Sequence, residues 1–285
     1  YAPGLRGRVM GIIQTAFAAS QVLGLPLALF ASNRWDWHAP FYLMVGLGAV
    51  GGLLVAWRLK PVTAHLEHAQ DVHPVRHLID TVTARRHLPA FATTILLSTG
   101  GFMIMPFSSV FVVNNLGLAN TDLPTIYMLT GLCTIVAGPL IGKMVDAFGR
   151  MRVFLLGSAV TSVMVLVYTN LGPVPLPVLV AVNVVMFIGI FSRMIPYQAM
   201  AASVPEAQMR GSFNAISASI QQLSGGMAAI VAGHLVHIGA DGRLEGFNRV
   251  GWVLVATTVV GAFLVRQVDK EIRQRAAHQV AAAEA

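Results

Sequence analysis

Charge is scarce in this sequence. Asp, Glu, Lys and Arg together make up 11% of its 285 residues, whereas a soluble domain carries about 25%. So few charges cannot clothe a soluble globule of this length, which excludes a soluble enzyme and a nucleic-acid binder. Cysteine is nearly missing: the single Cys133 permits no internal disulfide and says nothing about redox compartment. An H-E-x-x-H motif is absent, which argues against an intramembrane metal hydrolase. Five histidines, His65, His68, His73, His77 and His87, lie among charges without a Cys or carboxylate at ligand spacing. They read as a solvated, partly helical linker rather than a metal site, and no metal or cofactor is implied.

What is present is apolar. Hydrophobic residues make up 55% of the chain and the mean hydropathy is +0.69. At about 20 residues per span, that content corresponds to about eight transmembrane helices. Runs bounded by charge or by Pro and Gly place them near Val9–Ala31, Pro40–Trp57, Pro89–Val113, Leu123–Val145, Val153–Asn170, Pro177–Met194, Ser212–Val236 and Val250–Val265. Such continuous runs differ from the short alternating segments of a transmembrane barrel. The expected fold class is all-α, a polytopic protein embedded in a lipid bilayer.

Lys and Arg set the orientation. Arg6, Arg8, Arg58, Lys60, Arg76, Arg85, Arg86, Lys143, Arg150, Arg152, Arg210, Arg266, Lys270, Arg273 and Arg275 fall at one set of span ends; Arg34, Arg243 and Arg249 fall at the other. Both termini of the chain are therefore expected in the cytoplasm, and the net charge of +7 is a topology signal rather than a sign of nucleic acid.

Polar residues fall in stripes. Asn214, Ser217, Gln221 and Ser224 recur on one face of the seventh span, Tyr127, Thr130 and Thr134 on the fourth, and Thr94, Ser98 and Gly101 on the third. A polar face inside a membrane meets a partner helix or water, so these residues are the candidates for a substrate cavity. The second, fifth and eighth spans carry little beyond Gly, Ser and Thr among polar types and read as lipid-facing. Arg193 is the sole charged residue well inside a span. It either snorkels to the headgroups or faces the cavity beside Asn214 or Gln221, and Pro196 is expected to kink or end its helix nearby. No Asp or Glu occupies the middle of a span.

Two features suggest a repeat and a family. Arg6-Gly7 and Arg210-Gly211 open spans that stand six helices apart, the interval of duplicated six-helix halves. After the fourth span, Gly142, Asp146, Gly149 and Arg150 stand in a pattern that resembles the major facilitator superfamily loop G-x-x-x-D-R/K-x-G-R-R/K, with Ala147 in place of the basic residue after Asp. The resemblance implies a twelve-helix fold built from inverted three-helix repeats, of which these spans would be helices five to twelve. The chain, beginning at Tyr1, is then expected to be a fragment.

On that reading residues 1–60 are the last two helices of the N-terminal half and 61–88 the cytoplasmic linker. Residues 89–275 are the complete C-terminal half and 276–285 a cytoplasmic tail. Asp146 would brace the halves against the Arg6-Gly7 opening, while a solvated turn is the competing reading.

The first span also resembles the helix-five signature G-x8-G-x3-G-P-x2-G-G of drug:proton antiporters through Gly11, Gly24 and Pro26, the last shifted by one position. The implied activity is efflux of a small organic solute by alternating access, coupled to protons, from a bacterial inner membrane by a protein monomeric at full length. A metabolite or sugar carrier and a non-transporting sensor remain open alternatives.

Overall fold

In a computed structural model of the chain, the described residues are 12, 20, 24–58, 74–206 and 209–284. They form α1 (Leu25–Arg34), α2 (Ala39–Arg58), α3 (Pro74–Thr83), α4 (Leu88–Asn114), α5 (Leu123–Phe148), α6 (Arg150–Thr169), α7 (Leu176–Ala201), α8 (Arg210–Leu235) and α9 (Phe247–Glu284). A short antiparallel hairpin, β1 (His237–Ile238) and β2 (Leu244–Glu245), joins α8 to α9. Among the described residues, seven helices are long and apolar enough to cross a membrane: α2 and α4 to α9, the last over Phe247–Gln274. The eighth expected span, Val9–Ala31, lies largely outside the described residues and contributes only the start of α1.

Local chemistry explains the boundaries. Proline stands in the first turn of α1, α4, α5 and α7, where its missing N–H costs nothing and its fixed φ suits a helix. Asp36 Oδ1 accepts from the backbone N–H groups of His38 at 2.7 Å and Ala39 at 3.1 Å, satisfying donors at the start of α2. Gly149, with φ at +90° and ψ at 145°, separates α5 from α6. That conformation is essentially restricted to glycine.

Two expected boundaries are corrected. The span expected to end at Met194 continues as helix to Ala201, through Pro196. One proline removes one backbone donor, and a helix held by its neighbours inside a bundle tolerates that loss. Likewise the span expected at Val250–Val265 is part of a helix running to Glu284, so residues 276–284 continue that helix. Charge ends an apolar run without ending a helix: Asp269 and Arg273 form an (i, i+4) pair at 2.8 Å within α9.

Six helices, α4 to α9, form the bundle. The main packing pairs are α6 with α7, α4 with α8, α4 with α9, α5 with α7, and α6 with α9. Exchanging α4–α6 for α7–α9 maps this set of pairs onto itself, as expected of two three-helix repeats. The α6–α7 approach depends on small residues. A Cβ on Gly157 would lie 2.6 Å from the carbonyl carbon of Ser192, and one on Gly189 would lie 2.8 Å from Thr161 Oγ1.

The largest apolar cluster includes Met103, Phe111, Tyr168, Leu179, Phe247 and Leu254 and occupies the hairpin end of the bundle. Asn115 clips the hairpin to the end of α4. Its carboxamide donates to the Leu244 carbonyl at 2.9 Å and accepts from the Leu244 N–H at 2.8 Å. Smaller clusters fill the opposite end: Ala90, Phe91, Val204, Phe213 and Val268 in one, Phe154, Tyr197, Met200 and Val265 in another.

Candidate functional site

A cavity of about 290 Å3 opens among α4, α7 and α8, at the end of the bundle where Arg86 and Arg210 stand. Helix α4 contributes Thr94, Leu97 and Ser98, and α7 contributes Met194, Tyr197, Gln198 and Ala201. Helix α8 contributes Phe213, Asn214, Ser217, Ala218 and Gln221. On each helix the contributing residues recur at intervals of three or four, so a single face of each points inward.

Part of this polar lining is bonded within the protein. The Tyr197 hydroxyl donates to the Ala90 carbonyl at 2.5 Å and lies 2.8 Å from Thr94 Oγ1. Ser98 and Ser224 hydroxyls meet across α4 and α8 at 2.8 Å, while each also lies 2.7 Å from a carbonyl of its own helix, Thr94 and Ile220 respectively. These contacts hold α4 against α7 and α8. By contrast Ser217 Oγ is buried and has no hydrogen-bond partner among the described residues.

The end wall is aromatic. Phe213 lines the cavity, stacks on Phe91 at 5.0 Å between ring centroids and meets His87 edge-on at 5.1 Å. His87 is fully buried, with Nδ1 2.8 Å from the Thr81 carbonyl. The expectation that this histidine belongs to a solvated stretch is therefore corrected: it packs on an aromatic pair at the start of α4. His65, His68 and His73 lie outside the described residues. Just beyond, the Arg86 guanidinium pairs with the Glu206 carboxylate and approaches Met209 Sδ at 3.1 Å, tying the start of α4 to the α7–α8 connection.

The other expected site residues lie elsewhere. Thr130 and Thr134 are buried on α5, and Thr134 Oγ1 donates to the Thr130 carbonyl at 2.6 Å. Tyr127 bonds to Ser108 of α4, whose hydroxyl also lies 2.5 Å from that of Tyr168 on α6. Tyr127 thus links α5 to α4, Thr134 bonds within its own helix, Thr130 Oγ1 is buried without a partner among the described residues, and none of the three lines the cavity.

Arg193 corrects both of its expected readings. It neither snorkels nor sits beside Asn214 or Gln221. Only 3% exposed, it sends Nη1 to Thr258 Oγ1 of α9 at 2.8 Å. Its position is about a quarter turn from the face of α7 that lines the cavity.

The loop motif occupies the α5–α6 junction. Gly142 is buried on α5, Asp146 is exposed near its end, Gly149 makes the turn and Arg150 begins α6. Arg210 and Gly211, both exposed, open α8. Arg6, Gly7 and Gly11 lie outside the described residues, so their relation to Asp146 does too. Gly24 and Pro26 stand at the start of α1.

Tyr197 and Gln198 were not among the candidates read from the sequence. They follow Pro196, beyond the expected end of the span, and continuing the helical period through that proline is the signal that would have found them.

The model of the Major Facilitator Superfamily matches residues 1–229 and, in an overlapping second placement, residues 90–282. The chain belongs to the Major Facilitator Superfamily. Members of the superfamily are membrane transporters, so the chain is an integral membrane protein whose partners are the bilayer and a small-molecule substrate. Within that family setting, the cavity lies where three helices of one six-helix bundle converge.

Proposed function

We propose that this transporter moves a small organic solute by alternating access, with the cavity among α4, α7 and α8 forming one wall of its substrate path. The observation that carries the reading is the convergence of Thr94, Ser98, Asn214, Ser217 and Gln221, from two helices, around one cavity of the bundle. Polar side chains at that depth need water, a partner helix or a solute, and here a void of ligand size adjoins them.

The spans correspond on this reading to helices five to twelve, with α4–α9 as the C-terminal half. Both ends of the chain are cytoplasmic, in a bacterial inner membrane. Asp146 acts as the brace of the outward-facing state, and the full protein works as a monomer. The retained Gly24 and Pro26 of the helix-five pattern favour outward movement coupled to protons. A second reading, facilitated transport without coupling, is favoured by the cavity lining itself, which among the described residues includes no Asp, Glu or His.

Purified protein in sealed liposomes distinguishes them. Under the efflux reading, solute flux rises when a proton gradient is imposed and collapses with an ionophore. Flux that follows only the solute gradient selects facilitation, and no solute-dependent flux with any orientation or gradient rejects transport.

A further inference from the structure

The cavity lining separates into side chains already bonded and side chains still unbonded. Tyr197 spends its proton on the Ala90 carbonyl, and Ser98 and Ser224 satisfy each other and their own helices. Gln198, Asn214 and Gln221 make no side-chain hydrogen bond among the described residues, and Ser217 Oγ is an unpartnered acceptor and donor. Each carboxamide offers two N–H donors and a carbonyl acceptor. The unspent capacity is therefore of both kinds, and all of it is neutral.

Among the described residues, no charged side chain lines the cavity. The nearest buried cation along α7, Arg193, immediately precedes the lining residue Met194 yet bonds Thr258 on α9. At the mouth Arg86 is paired with Glu206 and Arg210 is exposed. A charged solute seated deeper would lose hydration without a counter-charge from the described lining, and the desolvation penalty of an unpaired ion is far greater than that of a hydroxyl or amide that is re-bonded. Leu97, Met194 and Phe213 supply an apolar wall.

We infer that the cavity selects an uncharged solute carrying both hydrogen-bond donors and acceptors on a compact body, and rejects organic cations and anions of the same size. This rests on reading the cavity as the transport site and names the substrate class of that site. The discrimination arises from what the carboxamides and Ser217 can bond and from the absence of an ion partner among the described residues of the lining.

The test uses the whole chain in lipid nanodiscs and three probe series. Each series has a neutral parent with its carboxylate and ammonium counterparts: a hexitol, a nucleoside and a cyclic dipeptide. Binding is read as a ligand-dependent shift in thermal unfolding. At least one neutral parent should bind, with both charged counterparts about tenfold or more weaker. Asn214→Ala or Gln221→Leu should weaken that parent about tenfold, the usual loss on removing a hydrogen-bonding group, without shifting the unfolding of the ligand-free protein.

Gln198→Glu, which installs a carboxylate in the lining, should raise affinity for the ammonium counterpart above that for the parent. A charged counterpart binding as well as its parent in the unsubstituted protein overturns the inference, as does the absence of binding in all three series. Flux assays separate this from the transport reading. Selective binding without flux leaves the cavity chemistry standing and removes transport, whereas flux of a charged solute unaffected by the cavity substitutions keeps transport and removes the inference.

Discussion

Arg193 of α7 donates from Nη1 to Thr258 Oγ1 of α9 across 2.8 Å of buried interface. These two helices otherwise touch only slightly, because α7 packs chiefly on α6 and α5, and α9 on α4 and α6. The hydroxyl thus accepts from a cation that is 3% exposed.

Removing the acceptor should be costly. Thr258→Val keeps the shape of the side chain and strands the guanidinium, so a loss of about 1.5–3 kcal/mol is expected for a hydrogen bond to a charged group. Arg193→Met removes the charge itself and should be close to neutral, because an apolar residue of similar reach needs no partner. Thermal unfolding of the two variants and their double mutant in one detergent measures the coupling. If Arg193→Met is the more damaging of the two, the guanidinium has a role beyond this bond.

Close packing of α6 on α7 predicts a contrast between glycines. Gly157→Ala puts a methyl group 2.6 Å from Ser192 backbone, whereas a Cβ on Gly101 of α4 meets nothing within 4 Å. The first substitution should lower stability by about 1–3 kcal/mol through overpacking and the second should be tolerated. Equal unfolding midpoints for both would mean that α6 and α7 separate easily.

For Gly149 the constraint is conformational rather than steric. A Cβ there would meet nothing within 4 Å, but the backbone sits at φ +90°. Gly149→Ala should cost about 1–3 kcal/mol by forcing an L-residue into that region. Gly149→Asn should cost as much, because ψ at 145° lies outside the left-handed helical region that Asn tolerates. A comparison of unfolding midpoints checks both, and an unchanged midpoint for Ala would require a different turn geometry.

Ser217 predicts stability and binding moving in opposite directions. Its Oγ is buried without a partner, and such a group costs about 1–3 kcal/mol. Ser217→Ala should therefore leave the ligand-free protein as stable or more so, while weakening the neutral solute. A variant that is destabilised without ligand would show that the hydroxyl is already bonded.

The helical class, the membrane spans and the polar stripes were legible in the sequence because each is written in periodicity and composition. A polar stripe records only that a face avoids lipid. It does not say whether that face meets a void, as Asn214, Ser217 and Gln221 do, or is packed away inside the bundle, as Thr130 and Thr134 are. That difference depends on how helices assemble, which no single span encodes. Arg193 was visible by its depth, but its partner Thr258 lies 65 residues away and looked like an ordinary threonine in a peripheral span. Tyr197 and Gln198 were hidden by the reading of Pro196 as a terminator.

The unbroken run of α9 has a mechanical consequence. Its 38 residues make a rod of about 57 Å, against a hydrocarbon slab of about 30 Å, so roughly half of the helix projects past the apolar layer. Tilting such a rod by about 10° about the membrane surface would sweep its free end by about 5 Å. The helix that carries Thr258 is thus a lever, converting small rotations among the packed helices into a displacement large enough to follow with a single spectroscopic label.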